Sequence, residues 1–378
     1  MPLSIDSVRT PDDLSVDVLS EIFNEEVVDY RISPLGRGVL SNVHILEVTF
    51  GEDTRTVQFI AKFRKDEIPL EDLFDVEGAF YHLIDNLEDI NAFPFRLTKA
   101  LATGTHWLLL EYISDDVTTL DVHQSCPMDQ FDDLIHRLAK MHEYCWIDSS
   151  NSTQTAEILN KYSNKLSDAP GAGQSLPTSA RKEQFKAAWP AVKKRLTPFF
   201  SSESLRCLDD IVDWIADDER IDVIQASVEE KRYTLVHGDF HMGNMLLPKE
   251  IEGDVDERPW LVDWSFSGIG NPSVDLVFFM AMNDITTEDT KRVLQDYYTV
   301  IKERSQLSWD EFLGMFRLCL LNQFIILVCY DSLCRTMADS SIDDMVEVQH
   351  AHFDRVNTRC AQMILFHNFD GGNIIQIV

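Results

Sequence analysis

The sequence is short of positive charge. Its 378 residues carry 33 Lys and Arg against 64 Asp and Glu, a formal net charge of −31. A surface that negative repels DNA, RNA and anionic lipid, which argues against a nucleic-acid or membrane-surface role. It either attracts cations, metals and amines or serves only to keep the chain in solution. A disulfide framework is missing as well. The seven cysteines, at positions 126, 145, 207, 319, 329, 334 and 360, are odd in number and contain no CxxC pair. That pattern suits a reducing compartment and speaks against a zinc site. The opening residues MPLSIDSVRTPDDLS show no basic-plus-apolar leader. No long apolar run goes uninterrupted. The most apolar stretch, Leu313 to Tyr330, is broken by Arg317, Asn322 and Gln323, so it reads as a buried helix and not a membrane span. Repeats and low-complexity tracts are absent. The expectation is a cytoplasmic protein that binds neither nucleic acid nor membrane.

What is present suffices for a core. Hydrophobic residues make up 44% of the chain and charged residues 26%, which excludes a mainly disordered polymer. The first third reads as mostly strand. A short strand at Tyr30–Leu35 precedes a glycine turn, Gly36-Arg37-Gly38. A β-branched and aromatic run from Val43 to Phe50 and a second from Thr56 to Phe63 flank a short polar turn, as in a hairpin. Helical periodicity follows from about Leu70 to Leu87, then two strand-like runs, Arg96–Ala102 and His106–Ile113. After residue 114 the texture becomes helical. Met128–Trp146, Glu183–Phe200 and Ser204–Asp217 have helical spacing, and Asp168–Ala180 is a loop by its Gly, Pro and Ser content, either a lid or an insertion. A strand–loop–strand island spans Tyr233–Asp263, and Ser273–Phe366 reads as about four helices. The order predicts an α+β chain with an N-terminal extension at 1–19, a small β-rich lobe at 20–113 and a large, mainly helical lobe at 114–378.

The island carries the chemistry. LVHGDFHMGNMLL, from Leu235 to Leu247, sets polar groups close together between apolar strand residues. The next strand, Trp260-Leu261-Val262-Asp263, ends in an acid. Phosphoryl transfer needs a group to orient the attacking hydroxyl and hard oxygen ligands for magnesium. Asp239, then Asn244 five residues on, then Asp263 at the end of the next strand can meet around one triphosphate. Taken singly, Asp239 would read as a cap and Asn244 as a turn residue. Their joint spacing and the apolar flanks favour the functional reading.

His237, Asp239 and Asn244 match HxDxxxxN, and the form HGDFHMGN followed by VDWSFSGIGNPSVDL resembles the aminoglycoside phosphotransferase and choline kinase group, including its ecdysteroid-kinase-like branch. Gly238 stands where protein kinases usually have Arg, and Trp264-Ser265 where they have Phe-Gly. The resemblance extends from about residue 30 to 285 through Lys62 in FIAKF, Glu77 in VEGAFY and the LAKMH run ending at His142. It implies a two-lobed protein-kinase-like fold and ATP- and Mg2+-dependent phosphorylation of a hydroxyl on a small molecule. The acceptor it implies is an amino alcohol, an aminoglycoside-like compound or a sterol-like alcohol, and a cationic one would suit the negative charge. By the same resemblance Asp239 is the base or orienter, and Asn244 and Asp263 hold the metal. Lys62, set by Glu77, contacts the phosphates. Gly36, Gly38 and Ser41 cover them, and Glu111 to Ile113 form the adenine hinge. His237, His241 and Asp275 brace the catalytic loop.

Two departures stand out. Ser41 replaces the third glycine of a GxGxxG turn, and Ser265 stands where an acidic residue often follows the metal Asp and its aromatic neighbour. Substrate contacts are open to Trp264, Phe266 and Gln323. The aromatics Trp146, Trp264, Phe266, Phe278, Phe279 and Tyr330 are either a cage for a quaternary amine or core, and Asn322 and Gln323 either face substrate or are satisfied buried amides. The alternative to an enzyme is an inactive kinase fold that binds nucleotide or a partner. The retained base argues against it, and the missing Arg argues against a protein kinase.

Overall fold

The computed structural model describes residues 7–37, 41–51, 54–65, 71–87, 90–113, 116–119, 121, 124–147, 154–162, 178–215, 223–224, 226–227, 233–249, 256–338 and 344–367. Strands β1 (Val27–Arg37), β2 (Ser41–Phe50), β3 (Thr56–Arg64), β4 (Ala100–Thr103) and β5 (Trp107–Glu111) form one antiparallel sheet in the order β1-β2-β3-β5-β4. Period-two alternation sends Leu46, Val48 and Phe50 of β2 to one face, where they are buried. Helix α1 (Val16–Phe23) supplies Val18 and Leu19 to the same cluster, with Val8 and Leu14 ahead of it. Ser15 caps α1 by accepting the Val18 N–H at 3.2 Å. Residue 19, the expected end of an N-terminal extension, therefore lies inside a helix that packs on the sheet.

Helix α2 (Glu71–Ile84) crosses to the other core. Its Ala79, Phe80, Leu83 and Ile84 join the large apolar cluster with α3 (Met128–Tyr144) and the later helices. The apolar positions of α3, Phe131, Leu134, Ile135, Leu138 and Met141, fall three or four apart on one face, which is the stripe a half-buried helix needs. The remaining helices are α4 (Gln154–Tyr162), α5 (Thr178–Leu196), α6 (Ser202–Ile215), α7 (Ser273–Met282), α8 (Thr287–Ser305), α9 (Trp309–Ala338) and α10 (Asp344–Phe366). α5 opens inside the expected 168–180 loop; the question of a lid at 163–177 lies outside the described residues. Among the described residues α9 is the one helix long and apolar enough to cross a membrane by length and composition, and most of it is buried inside the fold. Asp331, fully buried on α9, accepts from Arg195 of α5 and from Arg335, and both arginines also reach Asp354 of α10.

Two small sheets build the segment between α6 and α7, the second with one strand from ahead of α3. β7 (Thr234–Val236) pairs antiparallel with β10 (Gly268–Gly270). β8 (Met245–Pro248) lies between β6 (Val117–Thr119) and β9 (Trp260–Leu261). The 90s segment ties this unit to the five-stranded sheet. Arg96 and Leu261 bond through Leu261 N–H to Arg96 O at 3.0 Å, and the Arg96 guanidinium sits 4.1 Å from the centre of the Trp260 ring.

Candidate active site

The site is built where β7 ends. His237 follows the strand, and Gly238 takes φ 80°, in the left-handed region that glycine enters without steric cost. That turn aims both backbone N–H groups at Asp275 on the first turn of α7. Its Oδ2 accepts from His237 N at 2.8 Å and its Oδ1 from Gly238 N at 2.7 Å. His142 of α3 adds a ring nitrogen 3.2 Å from Oδ2. The other ring nitrogen of His142 meets the hydroxyl of Tyr297 on α8. Burial first, then the charge of Asp275, pushes the Tyr297 phenol well above its ordinary value. His142, Tyr297 and Asp275 are all fully buried. Tyr297 carried no signal in the sequence beyond one apolar position of a helix, and His142 only its place in the LAKMH run.

The His237 ring has both nitrogens engaged. Nε2 donates to the Val262 carbonyl at 3.0 Å, and Nδ1 accepts the Asp239 N–H at 3.2 Å. This is the neutral tautomer. Burial lowers the pKa of the ring despite the nearby carboxylates of Asp275 and Asp239. Asp239 projects from the loop with its side chain partly open to solvent. The Asn244 amide donates to the Asp239 carbonyl at 2.9 Å and to its Oδ2 at 3.2 Å. His241 Nε2 lies 3.4 Å from the same carboxylate oxygen. Burial opposes charge on His241, but the bond to Asp239 and its charge outweigh that, and the His241 pKa is raised.

The second half of the site comes from the five-stranded sheet and α2. Lys62 on β3 donates to both oxygens of Glu77, at 2.7 and 3.0 Å, and lies 3.5 Å from Asp263 Oδ1. Lys62 and Glu77 are buried, whereas the Asp263 side chain is 44% exposed. Burial works against a charged lysine, yet the two carboxylates overcome it and raise the Lys62 pKa. One ammonium is shared by two acids. Burial raises the Glu77 pKa in spite of Lys62. At Asp263 partial desolvation is outweighed by Lys62, the Ser265 hydroxyl, His237 and His241, and the pKa is lowered. Asp263 itself adopts φ 63°, a conformation non-glycine residues seldom take. Its neighbour Val262 donates its N–H to the Asn244 carbonyl at 3.0 Å, which sets Asn244 and Asp263 side by side in the chain trace.

The other expected residues fall in different surroundings. Gly36 sits in β1 beside a register shift, so the expected strand runs two residues further than its pattern implied; Gly38 lies outside the described residues. Ser41 is buried and opens β2 opposite Arg64. Glu111 has its backbone N–H bonded to Lys99 O at 2.9 Å and its carbonyl to Thr98 Oγ1 at 3.0 Å. The Glu111 N–H is thus engaged within the sheet, its carbonyl keeps a second lone pair, and the half-buried Ile113 lies beyond them. Trp264 does not face an open site. Its indole is fully buried and stacked on Phe80, with ring centroids 3.7 Å apart, because a large apolar ring next to Asp263 is drawn into the α2 core. Phe266 is half-buried, and Gln323 and Asn322 are buried on α9. The aromatics read as a possible cage pack in separate pairs: Trp146 on Tyr233, Phe279 on Phe131, Phe278 by His241 and Tyr330 by Phe353.

A family model described as the ecdysteroid kinase-like family matches residues 40–307. The chain belongs to this family. The matched span includes Lys62, Glu77, Asp239, Asn244, Asp263 and Asp275 and excludes Gly36, Gly38 and Gln323. Among solved structures, a choline kinase from Cryptosporidium parvum Iowa II is similar at 12% identity and a TM-score of 0.46, covering 92% of this chain and 91% of its own. A Plasmodium vivax ethanolamine kinase is similar at 11% identity and a TM-score of 0.47, covering 89% and 84%. An ADP-bound aminoglycoside phosphotransferase, APH(2'')-Ib, is similar at 15% identity and a TM-score of 0.42, covering 91% and 99%. A sequence search of the curated proteins returns no match. The ecdysteroid kinase-like assignment rests on the family model.

Among the described residues no group of three or more His, Cys, Asp or Glu side chains converges as a metal centre. The ecdysteroid kinase-like chain instead offers two oxygen ligands, the Asp263 carboxylate and the Asn244 amide oxygen left over once its nitrogen is bound to Asp239. That set fits magnesium, which keeps waters and phosphate oxygens in its remaining positions.

Proposed function

We propose that this member of the ecdysteroid kinase-like family is an ATP- and Mg2+-dependent phosphotransferase acting on a hydroxyl of a small molecule. The observation that carries the reading is the meeting of Lys62 with Asp263 at 3.5 Å, while Glu77 holds the same ammonium at 2.7 Å. A fixed cation beside a half-exposed carboxylate suits a metal–triphosphate, whereas a structural ion pair would be complete with Lys62 and Glu77 alone. When bound, ATP supplies the phosphoryl group and Mg2+ neutralises charge on its oxygens.

The chain's own residues divide the remaining work. Lys62, held by Glu77, positions the phosphates. Asp263 and the Asn244 amide oxygen hold the metal. Asp239 orients the acceptor hydroxyl and takes its proton, and Asn244 Nδ2 and His241 fix that carboxylate. His237, Asp275 and His142 keep the loop in register. Gly36, Gly38 and Ser41 would contact the phosphates, and the backbone of Glu111 to Ile113 would meet the base. Lobes at about 20–113 and 114–378 and a cytoplasmic location belong to the same reading; the described cysteines are free thiols. The acceptor is an amino alcohol, an aminoglycoside-like compound or a sterol-like alcohol, with Phe266 and Gln323 as its candidate contacts.

Thermal melts with ATP and with GTP, with and without Mg2+, test this on wild type and Asp263→Ala. Ligand at about 100 times its dissociation constant stabilises the fold by roughly 2.7 kcal/mol. The expected result is a magnesium-dependent shift that weakens in the variant. No shift with either nucleotide would overturn the enzyme reading and leave a kinase-fold binding module.

A further inference from the structure

The Ser265 hydroxyl lies between the two carboxylates of the site. Its Oγ donates to Asp263 Oδ1 at 2.5 Å and stands 3.4 Å from Glu77 Oε2. The residue is 6% exposed, so water does not readily replace either contact. Its backbone is fixed by the neighbours: Trp264 is stacked in the core, and Ser267 Oγ donates to the Trp264 carbonyl at 2.7 Å. Carboxylates only accept, and a serine carries one hydroxyl proton. Ser265 can therefore serve Asp263 or Glu77, not both.

We propose that Ser265 is a positioning residue whose hydroxyl holds Asp263 before metal and nucleotide bind and, without breaking its O–H bond, turns that hydrogen bond to Glu77 when they do. The inference rests on the nucleotide-site reading above. Oδ1 of Asp263 is claimed by two donors, Ser265 at 2.5 Å and Lys62 at 3.5 Å. A carboxylate oxygen has two lone pairs, so a cation on Oδ1 must displace one donor. A cation on Asp263 weakens that oxygen as an acceptor for the hydroxyl. A phosphate that draws on Lys62 leaves Glu77, buried and served by the same ammonium at both oxygens, short of a donor, and the Ser265 hydroxyl and the buried Tyr81 phenol are the groups beside it. Both events turn the hydroxyl in the same direction. Metal and nucleotide thereby tighten each other through one hydroxyl, and the coupling is reciprocal. An acidic side chain at position 265 would add a metal ligand. Serine provides a switchable donor instead.

The test measures the factor by which saturating Mg2+ tightens ATP, and by which ATP tightens Mg2+, from melt titrations of wild type, Ser265→Ala, Ser265→Thr and Ser267→Ala. The coupling factor in Ser265→Ala should fall by roughly tenfold, the scale of one hydrogen bond to a charged group. Ser265→Thr, which keeps the hydroxyl, should restore it. Ser267→Ala should lower the unliganded melting temperature without changing the factor. If Ser265→Ala does not fold, Ser265→Cys, with its weak S–H donor, takes its place and should show the same loss. Wild-type coupling retained in Ser265→Ala or Ser265→Cys would overturn the proposal while leaving the nucleotide site intact. Absence of nucleotide binding by wild type would overturn both.

Discussion

Asp275 and Gly238 are joined at 2.7 Å, the carboxylate of one accepting the backbone N–H of the other across 37 residues of chain. The same carboxylate holds the His237 N–H at 2.8 Å, and it is fully buried. Asp275→Asn turns one acceptor into a donor facing a buried N–H. The variant should lose about 2–4 kcal/mol of stability in urea denaturation. A loss below about 0.5 kcal/mol, the range of an ordinary surface substitution, would remove Asp275 as the brace of this loop.

Lys62 and Glu77 form a buried pair with a third charge, Asp263, 3.5 Å away. Lys62→Met leaves a carboxylate buried without its cation and should cost about 3–5 kcal/mol. Lys62→Met combined with Glu77→Leu should cost clearly less than the sum of the two single changes. Chemical denaturation of the four proteins gives the coupling directly. Additive losses would mean that the ion pair is not what stabilises these side chains.

The neutral His237 makes stability depend on pH. Burial places its folded pKa below the ordinary histidine value of about 6.5, so the unfolded chain binds more protons in that range. With the unfolded state binding more, stability rises with pH. The contribution is complete above about 6.5 and is lost as pH falls from there through the folded pKa. His237→Gln, which cannot titrate, should flatten the stability profile between about pH 7.5 and 5 relative to wild type. Parallel profiles for the two proteins would contradict a neutral, buried His237.

Asp239→Asn keeps the shape of the side chain and removes the base. Turnover with any accepted alcohol should fall by roughly 100- to 10,000-fold. The magnesium-dependent melt shift with ATP should persist, since Asp239 touches the acceptor hydroxyl and not the phosphates in this reading. Turnover at the wild-type level would exclude Asp239 as the proton acceptor.

Local pattern was legible wherever a regular element had one wet and one dry face. β3 begins at Thr56 and α3 at Met128, where the alternation and the helical spacing place them, and four helices follow Ser273. The juxtaposition of the candidate residues was equally readable, because Asp239, Asn244 and Asp263 border short neighbouring strands that the Val262 N–H to Asn244 carbonyl bond holds together. The helix at Val16–Phe23 was not legible as part of the sheet's core, since its role depends on the strand face opposite it. Trp264 reads from sequence as an aromatic free to meet a substrate. Its side is decided by Phe80, 184 residues earlier in the chain.

By itself the sequence determined the periodicity of the elements, the spacing of the candidate site's motif and the excess of acid, none of which needs distant segments to meet. Only the tertiary structure decided that His142 and Tyr297 stand behind Asp275, that Lys62 reaches Asp263, and that Ser265 sits between two carboxylates. The physical reason is range. Backbone sterics and side-chain period act within a turn or a strand, whereas a buried polar group finds its partner only once packing has brought distant segments together and excluded the water that would otherwise serve it.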